Sequence, residues 1–506
     1  MNSDYIMDKI NAQDIPTFFT DKDELLTYDY SVIEKYLGTD FDFSQEIYNL
    51  SPYEDKKKLS TEYFKSILLG YNHIYISKLL EKYGYSSNIC LPLVNKWMGE
   101  VRVDNLVIIS HPEDAGNICK RHIKKAPIFK SLLDDSLIST TDNDDWMDQR
   151  NDMNEAFLPK RSLQEIFPIS LERSGVCSGV LKQMSCDYTK SVNMSEFFLN
   201  ETQAQLQLAM FGFSEGFEER TNKPIRDAFS GINTNYLNEF SDEALHESMK
   251  SSGPASEIFH RSSEKKNSKK DKGNILLFAF AGHDTTGHTL TWLLYELCKN
   301  PKYKEKLIQE IDNYWNNHRE PTYDTFNELS YMTRCITETL RMWPALANGT
   351  YRELEKDEEI HGINDRDGKV TIPKGTYCQV INWTRHRNPE LWDKPEIFNP
   401  EREFQDSEIW HHKGFGGYNV SSERYSPFTY GPRNCLGKNF SHMEMRLILL
   451  NLFRDYDFTL SELQMKTVDD PRYMGINTFT MGPESISEEE ELIGMYVDIQ
   501  KRKSNL

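Results

Sequence analysis

The stretch Phe428-Thr429-Tyr430-Gly431-Pro432-Arg433-Asn434-Cys435-Leu436-Gly437 constrains this chain more than any other. It sets one cysteine in a glycine-bracketed loop that runs straight into a helix. Apolar residues then fall at Leu436, Phe440, Met443, Leu447 and Leu450, a 4-3-4-3 spacing that predicts one buried helical face. Cys435 thereby stands at the positive end of a helix dipole, where free backbone N–H groups can hold a sulfur anion. Gly431 and Gly437 let the backbone turn tightly and approach a flat ligand. Arg433 offers a permanent cation for an acidic group on that ligand. A thiolate presented this way is a nucleophile or a metal ligand.

A cysteine in isolation is more often a small buried hydrophobe, and Cys90, Cys119, Cys177, Cys186, Cys298, Cys335 and Cys378 take that reading. Cys435 departs from it because Phe428, Gly431, Arg433, Cys435 and Gly437 agree with a spaced pattern. At these positions the chain resembles the cytochrome P450 family. The resemblance implies that Cys435 is the axial thiolate of a haem iron (haem b, iron protoporphyrin IX) and that Phe428 packs against the sulfur.

Three further motifs stand in the family's order. Ala281-Gly282-His283-Asp284-Thr285-Thr286 interrupts an apolar helix predicted from Asn274 to about Lys299. Burying an acid and a hydroxyl in mid-helix is costly without partners, and Gly282 weakens the helix by about 1 kcal/mol relative to Ala. By resemblance Asp284 and Thr285 are the catalytic pair that delivers protons during dioxygen activation, with Ala281 beside the haem. Glu338-Thr339-Leu340-Arg341 places opposite charges three residues apart on one helix face, and Pro400-Glu401-Arg402 follows. The family pairs the two into a structural network of Glu338, Arg341 and Arg402, although Glu403 stands where an aromatic usually follows the arginine. Trp146-Met147-Asp148-Gln149-Arg150 sets an indole N–H and a guanidinium one helical turn apart, donors suited to a carboxylate. The resemblance implies that Trp146, Arg150, Arg352 and Arg433 hold the haem propionates and that Gly437 lies against the cofactor.

With 59 basic and 79 acidic residues the chain carries a net charge of −20, which excludes nucleic acid as a natural partner. Eight scattered cysteines include no C-x-x-C pair and predict free thiols in a reducing compartment. Residues 1–60 read as a polar extension and 61–506 as the haem domain. No run in the first 40 residues approaches the ~20 apolar residues of a membrane span or has the shape of a secretory signal, so the expectation is a soluble cytoplasmic monomer. Ser251 to Gly273, rich in serine and lysine, predicts a mobile surface loop. A helix opens at Asn300-Pro301 and runs through Tyr314, another runs from Thr325 to Met342, and β pieces cover 368–372 and 377–383. His283, His386, His411 and His412 lack zinc-ligand spacing and read as structural.

The expected architecture is mainly α with small β-sheets: a triangular prism with haem between the long helix and the Cys loop. The expected reaction is monooxygenation of a hydrophobic small molecule such as a fatty acid, sterol or terpenoid. Electrons would come from a separate NADPH-dependent reductase or ferredoxin, since no G-x-G-x-x-G binds a nicotinamide here. Arg433 and Lys438 are expected to contribute to that donor's docking site. Pro127 to Ser139, Phe278 to Thr286, Leu346 to Thr350 and Gly475 to Thr480 are the candidate pocket segments. A peroxide-driven or rearranging haem-thiolate enzyme and a noncatalytic haem carrier or sensor are the alternatives. The intact Asp284-Thr285 pair speaks against the first.

Overall fold

A computed structural model describes Leu50, Leu59, Glu62, Tyr63, Ser66, Ile67 and residues 70–502, apart from 98–99, 128–132, 159, 264–267, 364–367, 411–420, 467–475, 478–479 and 484–493. The expected N-terminal extension, His411 and His412 thus lie largely or wholly outside the described residues. Leu50, Leu59 and Tyr63 are buried, Leu50 among Val107, Ile109 and Val380, so packing begins before residue 60.

Helices dominate and the sheets are small, as the resemblance implies. Strands run in chain order: β1 Ile89–Trp97, β2 Glu100–Ile109, β3 Val192–Asn193, β4 Thr350–Glu353, β5 Glu358–His361, β6 Lys369–Ile372, β7 Tyr377–Val380, β8 Tyr456–Leu460, β9 Ile476–Asn477, β10 Thr480–Met481 and β11 Tyr496–Lys501. The largest sheet has the order β1-β2-β7-β4, with β2 parallel to β7 (Leu106 opposite Tyr377) and the other pairs antiparallel. Strand β7 ends at Val380, and the rest of the expected strand is a helical turn, Asn382–His386.

The helix Ser268–Lys299 is the spine, and it begins six residues before the expected start. The expected loop is also largely helical, with a helix at Pro254–Ser263. Its Ile258 and Phe259 are buried, and Phe259 stacks on Phe211 at 6.1 Å. Three of the lysines that made the segment look solvated are helix-borne partners of acids elsewhere: Lys269 lies 3.6 Å from Asp134, and Lys270 and Lys272 bind Asp145 and Asp242. Gly282 has a packing reason, since a Cβ there would stand 2.9 Å from Leu206 Cδ2 of the crossing helix. That crossing helix, Met194–Gln205, ends in a π-helical turn, Leu206–Met210.

Asn300 precedes Pro301 at the start of the next helix, Pro301–Asn317, but its amide bonds back to Glu296 O at 2.9 Å and so closes the spine instead of capping its successor. The expected helix from Thr325 divides into a 3₁₀ turn, Thr325–Glu328, and the helix Ser330–Met342. Trp343 beyond it stacks on Trp292 of the spine at 4.1 Å, and Trp292 Nε1 donates to Met481 O at 2.7 Å.

A buried network locks the second half. Arg341 binds both oxygens of Glu338 at 2.8 Å and donates to His386 O and Pro395 O. Arg402 Nε reaches both Glu338 oxygens at 3.3 Å and its fork caps the carbonyls of Asp393, Lys394 and Ile397. The aromatic displaced by Glu403 is supplied one residue later: Phe404 packs on Trp392 at 5.9 Å and Tyr425 at 6.4 Å.

His111 and His361 flank Asp114 closely enough to suggest a metal site. Their rings stack at 3.7 Å and 17°, however, so no ion could lie in both ring planes. Asp114 accepts from Asn88 Nδ2 at 2.6 Å and from His361 N at 2.9 Å, and the cluster pins β5 to the helix Pro112–Arg121.

Replacing Glu338 with Leu strands two buried guanidinium charges, at a cost of roughly 3–5 kcal/mol. The Glu338→Leu variant is expected to melt about 3–5 °C lower, and an unchanged midpoint would show the network to be dispensable. Burial pushes the imidazole of His283 down to about 4 from an ordinary value of 6.5. Between those values the unfolded chain binds the extra proton, so stability falls as pH drops from about 6.5 to 4, by about 3 kcal/mol from this group. Denaturant unfolding at pH 7, 6 and 5 should show that decline, and His283→Gln should flatten it.

Candidate functional site

The Cys435 loop is built by a left-handed turn. Gly431 has φ +77°, and a Cβ there would stand 2.4 Å from Cys119 O, so both its conformation and its surroundings require glycine. Cys435 N donates to Phe428 O at 2.8 Å, closing the loop. The helix Lys438–Asp455 follows. All five apolar residues of the predicted face are buried. So are Asn439, His442, Glu444 and Arg446, because this helix is enclosed on every side.

Cys435 has accessible surface, yet the protein around it is dense enough that burial raises its thiol pKa. Together these describe a sulfur facing a recess. The rise is opposed by the Lys438 ammonium, the amides of Gly437 and Lys438, and Arg150. These are the amide donors expected of a helix start. Phe428 is half-buried beside the loop, its ring 5.3 Å from His442. Gly437 has an ordinary φ of −80°, and a Cβ there would meet no atom of the chain within 4 Å. The turn therefore does not need glycine, and the space beside it remains open to a ligand.

The expected anion-binding residues divide by role. Arg150 is committed to the loop, with Nη1 donating to Asn434 O at 2.8 Å and Nη2 to Asn434 Oδ1 at 2.7 Å. Trp146 is buried under the Arg433 guanidinium, which lies 4.5 Å from its ring centre. Arg433 donates to Ile123 O at 2.8 Å and to the carbonyls of Leu137 and Thr140, and burial with Arg352 nearby brings its pKa down to about 9. Arg352 is fully buried: Nη1 donates to Thr350 Oγ1 at 2.6 Å, while Nε and Nη2 have no hydrogen-bond partner among the described residues.

Lys125 joins them, unanticipated from the sequence, donating to the same Thr350 hydroxyl at 2.7 Å. Its ammonium is pushed well below the usual lysine range by burial, then by Arg352 and Arg433. Two buried cations thus share one neutral hydroxyl, and a third, Arg433, stands near enough to act on both electrostatically, an arrangement that calls for an anionic ligand. Paired with Lys124 ahead of Pro127, Lys125 carries no sequence signal of burial.

Lys438 is 1% exposed and Arg433 is 7% exposed. Neither can form part of a docking surface, which corrects the expectation drawn from their nearness to the sulfur. Both face inward because the loop folds over them.

On the spine, residues 275–280 and 289–297 are buried, while Ala281, Gly282, Asp284, Thr285 and His288 keep accessible surface. These positions share one helix face, so a groove opens in an otherwise enclosed helix. Thr285 Oγ1 donates to Ala281 O at 2.7 Å. Asp284 Oδ2 accepts from Thr480 Oγ1, and His288 Nδ1 lies 2.9 Å from that hydroxyl. His288 was not anticipated, and Thr480 only as the end of a pocket segment. Within the segments expected to line a pocket, 128–132, 475 and 478–479 lie outside the described residues. Phe278 is buried against Phe157 at 5.1 Å and Phe211 at 6.1 Å.

The family profile described as Cytochrome P450 matches residues 255–486. Cytochrome P450 3A28 of Bos taurus is 39% identical over 182 residues, covering 36% of this chain and 32% of the relative. Cytochrome P450 3A19 of Capra hircus aegagrus is 38% identical over 182 residues, covering 36% of this chain and 76% of the relative. Cytochrome P450 3A29 of Sus scrofa is 38% identical over 183 residues, covering 36% and 33%. The matched part spans about a third of the bovine and porcine relatives and three quarters of the goat relative. No helix among the described residues is long and apolar enough to cross a membrane. A thiol loop at a helix start, an acid–alcohol groove in the spine, the Glu338 network and the goat relative together place this chain in the cytochrome P450 family.

Proposed function

We propose that this chain is a haem-thiolate monooxygenase, holding haem b through Cys435. The observation that carries the reading is Arg352, whose two buried nitrogens have no hydrogen-bond partner among the described residues and whose third shares the Thr350 hydroxyl with Lys125, with Arg433 nearby. A ligand with acidic side groups fits that chemistry, and the open space at Gly437 fits a flat one. Haem, when bound, supplies the redox chemistry that activates dioxygen.

The residues have distinct tasks. Cys435 supplies the thiolate, which the amides of Gly437 and Lys438 stabilise. Arg352, Arg433 and Lys125 take the propionates, and Trp146 holds the Arg433 guanidinium by cation–π contact. Arg150 works through Asn434 to fix the loop. Phe428 covers the sulfur side, and Ala281 leaves room in the groove. Thr285 and Asp284 hold and pass protons in that groove. The single haem domain includes Leu50 and Leu59 in its packing, and its electrons come from a separate reductase or ferredoxin. Phe278 and Phe280, in an aromatic wall with Phe157, Phe211 and Phe229, support a hydrophobic substrate of lipid, sterol or terpenoid character.

Purified protein is expected to show the red-displaced ferrous carbonyl band of sulfur ligation, and Cys435→Ser to lose it. A colourless wild-type chain would refute the assignment. Arg352→Leu removes charge-assisted bonds of about 1.5–3 kcal/mol each. Haem transfer to an apo-globin acceptor should therefore quicken about tenfold to a hundredfold, with an unchanged rate assigning the propionates elsewhere.

A further inference from the structure

Asp284 does not stand alone in the spine groove. Its Oδ2 accepts from Thr480 Oγ1, which comes from β10, 196 residues downstream. Thr480 Oγ1 also lies 2.9 Å from Nδ1 of His288, which shares a helix face with Asp284 at i+4. A hydroxyl has one proton to give. With that proton directed at the carboxylate, the Thr480 oxygen must accept from the ring, so His288 carries its hydrogen on Nδ1. The ring does not contact the acid directly, because Nδ1 to Asp284 Oδ1 is 3.8 Å, beyond hydrogen-bond reach.

Other contacts hold the arrangement in place. A Cβ on Gly482 would stand 2.5 Å from His288 Nε2, so only glycine lets the chain run past the ring there. Between Thr480 and Gly482, Met481 fastens β10 to the spine by Trp292 Nε1 to Met481 O at 2.7 Å and to the segment after Trp343 by Met481 N to Ala345 O at 3.0 Å.

We propose that Thr480 and His288 are positioning residues for Asp284: a chain of bonds from His288 Nδ1–H to Thr480 Oγ1–H to Asp284 Oδ2 fixes the carboxyl rotamer and leaves Oδ1 as the oxygen that exchanges protons. This rests on the reading that Asp284 and Thr285 handle protons at a haem site. Without the brace the carboxyl group rotates about its last bond, and protons reach the groove in the wrong place or too late. The electrons then leave as hydrogen peroxide, two electrons and two protons per dioxygen, instead of appearing in oxygenated product.

The first test reads the brace without turnover. Histidine-selective ¹⁵N labelling, with the His288 signals identified by their loss in His288→Gln, reports the ring tautomer in the ferrous carbonyl protein. If no haem is held, the same spectrum is recorded on the chain as purified, so failure of the haem assignment leaves this readout intact. The expected result is hydrogen on Nδ1 in the wild type and in Thr480→Ser, and a tautomer mixture in Thr480→Val. Hydrogen on Nε2 in the wild type would overturn the proposal. The second test measures the share of reductant recovered as hydrogen peroxide. It should rise several-fold in Thr480→Val and His288→Leu and return to near the wild-type share in Thr480→Ser. Equal shares in all four proteins would also overturn it. Should Thr480→Val fail to fold, the wild-type tautomer and the His288→Leu share decide alone.

Discussion

One buried carboxylate organises the second half of this molecule. Glu338 has no contact with solvent and is neutralised by two guanidinium groups, Arg341 from its own helix and Arg402 from a segment 64 residues on. Burying three charges is expensive, and the geometry offsets that cost only when all are present. The spare donors of both arginines then cap carbonyls at His386, Asp393, Lys394, Pro395 and Ile397. A connecting segment with little secondary structure is held this way. Tyr425, packed on Trp392 and Phe404 just ahead of the Cys loop, inherits its position from that framework.

The cations around Thr350 follow a different logic. Glu338 satisfies its neighbours, whereas Lys125 and Arg352 share a hydroxyl that cannot neutralise them, and Arg433 nearby adds to the repulsion. Stability alone would favour apolar residues there. Such clusters make sense as recognition devices, in which the protein accepts local strain to favour an acidic ligand. The groove at Asp284 shows the same division within one helix: buried residues run on either side, and between them lies a short face whose polar groups are tied to a remote strand.

Much of this was legible in the sequence. The turn at Gly431 and the buried apolar face of the helix after Cys435 form as the spacing predicted, and the Glu338, Arg341 and Arg402 network closed even though Glu403 displaced its aromatic. What the sequence concealed was burial of polar residues. Lys125 and Lys438 look like surface lysines because charge normally seeks water, and only the fold shows them enclosed. The Ser251 to Gly273 stretch misled in the same way: its lysines suggested a solvated loop, yet Lys269, Lys270 and Lys272 meet acids from distant segments, and Ala255, Ile258 and Phe259 are buried where its first half docks as a helix. Asp284's partners were hidden for another reason, since Thr480 lies 196 residues away and no local pattern links it to His288.

The π-helical turn at Leu206–Met210 fixes the orientation of everything that follows it. Such a turn holds one more residue than the α-helical turn it replaces, and each residue advances a helix by about 100°. Leu206 can thereby fill the notch at Gly282, while Phe211 still points toward Phe259 and Phe278. A relative lacking that single inserted residue would present a different side of this segment to the spine, so the length of the chain here selects which aromatic rings line the interior.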